Sequence, residues 1–155
     1  MFRIANARTN QIIDLGATVL LARFEGRGND RVRRFEPLPL ERKKVVFFPL
    51  SWTLVHPIDG ASPLAGLTHA DLRESNAEVL ILLTGLDETF SQPVHARSSY
   101  SAEEIVWHAR FVDIFDRSTG GGEVTIDVGR LDDVLVLSRD DGAAPVSGAP
   151  REPGS

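Results

Sequence analysis

Apolar and polar residues alternate in short runs along most of the chain. Ile13, Leu15, Ala17, Val19 and Leu21 alternate with Asp14, Gly16, Thr18, Leu20 and Ala22. A period of two is that of a strand with one covered face, and the first set is the expected core face. Residues 26–30 carry turn chemistry. Residues 32–35 start a second strand. Pro37 and Pro39 confine it to an edge, because proline has no N–H to give to a ladder. Residues 45–48 and 51–55 read as strands, and Pro49 between them predicts a bend or bulge. Residues 94–100 and 106–115 read as further strands. Residues 118–122 read as a flexible hairpin connection. Glu123, Thr125 and Asp127 then alternate with Val124, Ile126 and Val128.

Two stretches depart from simple alternation. Residues 77–84 are nearly all apolar, which predicts an interior strand covered on both faces. Just before them, Thr68 is placed to cap a short helix, with Asp71 at its third position. Leu67 and Leu72 are spaced as a hydrophobic staple, and the helix should end near Ser75 and Asn76. Many short strands with turn residues between them indicate a β-sandwich.

The length of 155 residues suits one domain with a real core. That domain is expected over residues 1–137. Residues 138–155 are rich in Gly, Ala, Pro and Ser. They offer too little apolar surface to offset their ordering entropy, so they are expected to be a disordered tail. The formal net charge of −5 argues against non-specific nucleic-acid binding, which needs a basic surface. With no cysteine, disulfides, thiolate metal sites and cysteine nucleophiles are excluded. The apolar runs around residues 45–50 and 79–83 fall far short of the roughly 20 residues of a spanning helix. The first residues lack the apolar core of a signal peptide.

Three segments in order carry a resemblance. The first is Phe2-Arg3-Ile4-Ala5-Asn6-Ala7-Arg8 followed by Asn10-Gln11-Ile12-Ile13-Asp14. The second is the apolar run from Phe47 through Trp52 to His56-Pro57-Ile58-Asp59, then Ser62-Pro63-Leu64. The third is Thr84-Gly85-Leu86-Asp87-Glu88-Thr89-Phe90-Ser91-Gln92, His95-Ala96-Arg97-Ser98-Ser99-Tyr100 and Glu104-Ile105-Val106-Trp107. Over residues 2–128 the chain resembles the cytoplasmic C-terminal domain of inward-rectifier potassium channels, prokaryotic branch. The resemblance implies an all-β, immunoglobulin-like (E-set) β-sandwich with one short helix. It implies a homotetramer that extends the potassium pathway at the cytoplasmic face of the plasma membrane and takes part in gating. The pore-forming transmembrane module is expected to lie outside this chain, as a separate part of a longer channel. The alternative is a soluble immunoglobulin-like interaction module without channel activity.

The resemblance also assigns residues. Alternation alone puts Asp14 off the core as a solvated carboxylate. The family implies that it lines the cytoplasmic pore, where four copies would form a ring that concentrates potassium and holds polyamine or magnesium. Thr84 stands at a second pore-lining position, where strongly rectifying relatives carry an acid. Gly85, Leu86, Asp87, Glu88, Thr89, Phe90 and Ser91 match the loop that narrows the pore at its membrane end. Gly85 is expected to supply backbone freedom there, and Asp87 and Glu88 to add charge or pair between subunits. Arg8 matches an arginine that binds anionic lipid headgroups; pairing with a nearby carboxylate or subunit is the other reading. Alternation places His95, Arg97 and Ser99 on one face. Arg97 is expected to form a structural ion pair with Glu88, within or between subunits.

No enzyme is indicated. The chain lacks a Gly-x-Ser-x-Gly nucleophile turn, and His56, His69, His95 and His108 lack metal-ligand spacing. His56 and Asp59 flank a proline turn, which favours a hydrogen-bonded structural histidine. Gly120, Gly121 and Gly122 are not followed by the Lys-Ser/Thr of a phosphate loop. The basic residues Arg31, Arg33, Arg34, Arg42, Lys43 and Lys44 lack interleaved aromatics at single-strand-binding spacing, so they read as a solvated edge or subunit contact. No cofactor or metal is expected.

Overall fold

The alternation that begins at Ile12 forms a 14-residue strand around which the largest sheet is built. The structure, a computed structural model, describes residues 1–7, 10–48, 50–116 and 125–137. In chain order the first strands are β1 (Phe2–Ala5), β2 (Ile12–Glu25), β3 (Val32–Pro37), β4 (Lys44–Phe47) and β5 (Ser51–Leu54). Helix α1 (His69–Glu74) follows, then β6 (Glu78–Asp87), β7 (Gln92–Ser101), β8 (Ala109–Phe111), β9 (Phe115–Asp116), β10 (Thr125–Ile126) and β11 (Val134–Val136).

Strand β2 is long enough to take two partners on one edge. β3 pairs with residues 20–25 and β4 with residues 13–16. β6 runs along the opposite edge of β2, and β7 lies beyond β6. All of these pairings are antiparallel. β1 pairs with β5, β8 with β11 and β9 with β10, also antiparallel. The chain therefore changes sheets between Phe47 and Ser51; Pro49, which marks a bend in the sequence, lies outside the described residues. So do residues 117–124, which hold the expected hairpin connection, and residues 138–155, which hold the expected tail.

The core forms where the inner face of the five-stranded sheet meets β5, α1 and the loops. Leu15, Val19, Leu21, Val79 and Ile81 point inward, against Trp52, Leu54, Leu38, Leu40 and Leu72. Leu21 and Leu54 have no exposed surface. Each such side chain contributes about 1.5–3 kcal/mol relative to an exposed one. The outcome is an all-β, immunoglobulin-like β-sandwich with one short helix, as the alternation and the resemblance predict.

The helix follows its sequence signals closely. Thr68 is the N-cap, and its hydroxyl accepts from the Asp71 N–H at 3.3 Å. The Asp71 carboxylate accepts from the Thr68 N–H at 2.7 Å and hydroxyl at 2.6 Å. The Thr68 hydroxyl and N–H hold the Asp71 carboxyl below its ordinary value. That contribution is present above the ordinary carboxylate range and is lost as pH falls through the lowered value. Leu72 is buried and Leu67 packs on the same cluster, completing the staple.

Three strand expectations need correction. The run 106–115 is not one strand; only Ala109–Phe111 and Phe115–Asp116 pair. Of the alternation at 123–128, the described part pairs only at Thr125–Ile126 before a 3-10 turn at Val128–Arg130. Strand β6 is interior to its sheet, but only one face is covered. Val79 and Ile81 are buried, whereas Leu82 on the other face is 46% exposed.

Candidate functional site

The open face of the five-stranded sheet gathers most of the residues singled out in the sequence. Cross-strand register sets its rows. Gly16 lies opposite Thr84, and Thr84 opposite His95; Thr18, Leu82 and Arg97 form the next row, and Leu20, Leu80 and Ser99 the one after. Residues directly opposite in an antiparallel pair project to the same side. Thr84, Leu82 and Leu80 thus share a face with His95, Arg97 and Ser99, as alternation predicts for the last three.

Asp14 enters this face through a bulge. Ile13 pairs with Leu86 and Gly16 with Thr84, so Asp14 and Leu15 together oppose Gly85 alone. Asp14 has a φ of 55°, in the left-handed region that an aspartate tolerates better than most residues. The extra residue shifts the phase of the strand. This corrects the expected core face: Ile12 is buried in place of Ile13, while Leu15 stays inside. Ala22, expected on the off-core face, is also buried. The Asp14 carboxylate is 59% exposed and lies 2.9 Å from Lys44 Nζ. An exposed pair of this kind adds little stability. It does place a positive charge beside the carboxylate, which the sequence reading missed. Nothing in the local pattern links the two, since β4 reaches β2 across a long connection.

Gly85 has a role other than the expected backbone freedom. Its φ is not positive. A Cβ there would stand 2.9 Å from Ile12 Cγ2, 3.1 Å from Leu15 Cδ1 and 3.3 Å from the Ile13 carbonyl. The glycine lets β6 approach the bulge. Gly85→Ala should cost about 1–3 kcal/mol of stability in urea unfolding. Gly16→Ala, whose Cβ would meet nothing nearer than 3.7 Å, should cost much less.

The loop expected over residues 85–91 is shorter. Gly85, Leu86 and Asp87 belong to β6, and the turn itself is Glu88, Thr89, Phe90 and Ser91. Ser91 has a φ of 50°, and Phe90 at the turn is 64% exposed. Asp87 is not a surface charge, contrary to expectation; it is 2% exposed. Its Oδ1 accepts from the N–H of Thr89 at 3.0 Å and of Phe90 at 3.2 Å. Its Oδ2 accepts from Asn10 Nδ2 at 3.2 Å. Glu88 N–H donates to the Gln11 carbonyl at 3.1 Å, tying the turn to the segment before β2. Glu88 itself is exposed.

Arg97 and Glu88 are not brought together within the chain. Arg97 pairs in register with Leu82, five residues along β7 from Gln92. That is about 17 Å of strand from the turn. Arg8 lies outside the described residues. The basic residues of β3 lie on an edge strand, where Arg33 pairs with Glu78 and Arg34 lies 3.6 Å from Glu25; on β2, Arg23 bridges Glu25 at 3.0 Å and Glu36 at 2.9 Å. His56 is structural. Its Nδ1 lies 2.6 Å from the Pro39 carbonyl, which can only accept, so Nδ1 carries the proton in the neutral ring. Nε2 then accepts from the Ser62 hydroxyl at 2.7 Å. Among the described residues no cluster of His, Asp and Glu could hold a metal ion. Among them, too, no helix is long and apolar enough to cross a membrane.

This sandwich is a channel-type domain. The chain belongs to the family described as the inward rectifier potassium channel C-terminal domain, whose family model matches residues 1–144. It is 43% identical over 135 residues to the inward rectifier potassium channel Kirbac3.1 of Paramagnetospirillum magnetotacticum, covering 86% of this chain and 45% of that protein. It is 31% identical over 123 residues to the ATP-sensitive inward rectifier potassium channel 12 of Mus musculus, covering 72% of this chain and 27% of that protein. A human relative, ATP-sensitive inward rectifier potassium channel 8, is 31% identical over 126 residues, 77% of this chain and 30% of that protein. The chain spans less than half the length of each of these relatives. They are channels, not enzymes.

Proposed function

We propose that this chain serves as the cytoplasmic domain of a homotetrameric inward-rectifier potassium channel, at the inner face of the plasma membrane. The observation that carries the reading is the open outer face of the five-stranded sheet, in a chain of this family. Leu80 and Leu82 sit at its centre, with Leu82 46% exposed in an interior strand. An apolar surface at that position is covered when copies associate. Asp14 and Thr84 then line a shared water-filled pathway for potassium, and the turn through Phe90 narrows it. A pairing of Arg97 with Glu88 would run between neighbouring copies. Arg8 is proposed to meet anionic lipid headgroups where the domain approaches the membrane.

The Asp14–Lys44 pair sharpens this reading. Four carboxylates around an axis raise the local concentration of cations such as magnesium or polyamine. Four lysines 2.9 Å from them oppose that effect. The two charges therefore make opposite predictions. The test is a fusion of this chain behind the pore module of a relative, with block by internal magnesium and spermine measured in patches. Potassium current should appear only in the fusion. Asp14→Asn should raise the half-blocking concentration by roughly tenfold. Lys44→Gln should lower it, and both effects should shrink as salt shortens the Debye length to about 8 Å and below. Block unchanged in both variants would remove Asp14 from the pathway.

A further inference from the structure

Four copies about one axis repeat a single contact, and in that contact two different patches meet. The apolar face at Leu82 is therefore one half of a contact whose other half lies elsewhere on the same chain. This step rests on the tetrameric reading of the open face. The sheet has two sides to offer, β7 on one and β3 with β4 on the other.

Strand β4 carries a complementary patch. Consecutive side chains of a strand project to opposite sides, yet Val46 and Phe47 are 62% and 63% exposed. Both sides of this edge strand are thus bare and apolar, a surface that edge strands normally avoid because it recruits other chains. Phe47 is in register with Ile13, and Ile13 with Leu86, so Phe47 stands at the turn end of the sheet. The Phe48 N–H donates to the Ile12 carbonyl at 2.8 Å, and the Glu88 N–H to the neighbouring Gln11 carbonyl. Exposed Glu88 therefore shares that end with Phe47. Arg97 lies beside Leu82 in the same row. A copy that seats Phe47 over Leu82 brings its Glu88 toward Arg97, an acid toward a base. Lys44, three residues before Phe47, is already paired with Asp14. Arg42 and Lys43 stand farther back along the chain.

The other exposed apolar strands fit less well. The Phe35 ring of β3 already carries the Arg33 guanidinium at 5.6 Å. Strand β11 exposes Val134, Leu135 and Val136. It pairs with β8, whose Phe111 lies 4.3 Å from the Arg3 guanidinium of β1. Arg3 is in register with exposed Thr53, whereas Trp52 and Leu54 on either side of Thr53 are buried, so Arg3 points away from the core. Strand β11 thus lies behind the second layer, and a contact through it would turn Asp14 away from a common axis. We infer that the β6–β7 part of the open face in one copy receives the β4 edge of the next, with Phe47 as the anchor over Leu82. Asp14, on β2, stays on the uncovered part of the face.

The test uses the full chain, with light scattering for mass and circular dichroism for fold. Phe47→Glu should raise the midpoint concentration of tetramer formation by more than about thirtyfold and leave the fold unchanged. Val46→Glu, at the adjacent exposed position, should act in the same direction. Val136→Glu, on β11, should leave assembly as it is. The decisive sample is an equimolar mixture of Leu82→Glu and Phe47→Glu chains. Each variant alone should be monomeric. Together they retain one intact pair of patches, the Phe47 edge of the first and the Leu82 face of the second. The mixture should therefore form one-to-one dimers and stop there, because the two remaining patches are both spoiled. A parent chain that stays monomeric removes the tetrameric reading and this contact with it. A tetrameric parent that neither β4 variant disturbs, or that Val136→Glu dissociates, overturns the contact alone. So does a mixture without dimers at a hundred times the parent's midpoint.

Discussion

Asp87→Ala should lower the stability of the domain by about 2–4 kcal/mol, with Tm falling by roughly 10 °C. The carboxylate is 2% exposed and accepts from two backbone N–H groups of its own turn and from the Asn10 side-chain amide. Removing it leaves those partly buried donors without their acceptor, and bonds to an ionised acceptor are stronger than neutral ones. The loss should also loosen the turn, because the Glu88 N–H bond to the Gln11 carbonyl depends on the turn holding its shape. Asp87→Asn keeps one carbonyl oxygen and should fall between the parent and the alanine variant. Glu88→Ala, at the adjacent exposed position, should change stability by less than about 0.5 kcal/mol. Urea and thermal unfolding of the three variants give the comparison. If Asp87→Ala melts within two or three degrees of the parent, roughly, the turn is not held by this carboxylate.

Much of the architecture was legible because the signals were local. The capping of α1 by Thr68 and Asp71 needed only four consecutive residues, and its staple lies within the same short stretch. The edge character of β3 followed from its prolines. The face shared by His95, Arg97 and Ser99 followed from the period of two. What escaped the sequence was non-local. The bulge at Asp14 is visible only once β6 is laid beside β2, and it is the bulge that exchanges Ile13 for Ile12 in the core. For the same reason Gly85 read as a flexible loop residue when it is a close-packed strand residue. Asp87 looked like one of two turn acids. One of its partners is Asn10, far away in sequence. Lys44 was only one member of a basic run until pairing with β2 set it beside Asp14. The resemblance to channel domains identified the family but carried no information about these contacts.

Leu82→Glu should abolish self-association while leaving the fold intact. Leu82 is in the middle of an interior strand, yet 46% of its surface is exposed. Leu80 and Leu20 share the next row of the same face, so the patch is continuous across two strands. Among the described residues of a single copy, nothing covers it. The parent chain should therefore show a concentration-dependent monomer–tetramer equilibrium by light scattering. In a fourfold assembly, Leu82→Glu brings four carboxylates to the contact and removes an apolar anchor from each copy. Loss of such an anchor should raise the midpoint concentration by more than about thirtyfold. Circular dichroism should stay unchanged, because the substituted side chain points away from the core. The two contributions separate with salt. Repulsion between carboxylates weakens as the Debye length shortens to about 3 Å at 1 M ionic strength, so Leu82→Glu should recover part of its association there. Leu82→Ala lacks the repulsion and should recover none. A parent chain that remains strictly monomeric at millimolar concentration would show that this face is not covered by copies of itself. A tetramer that Leu82→Glu leaves undisturbed would place the contact elsewhere.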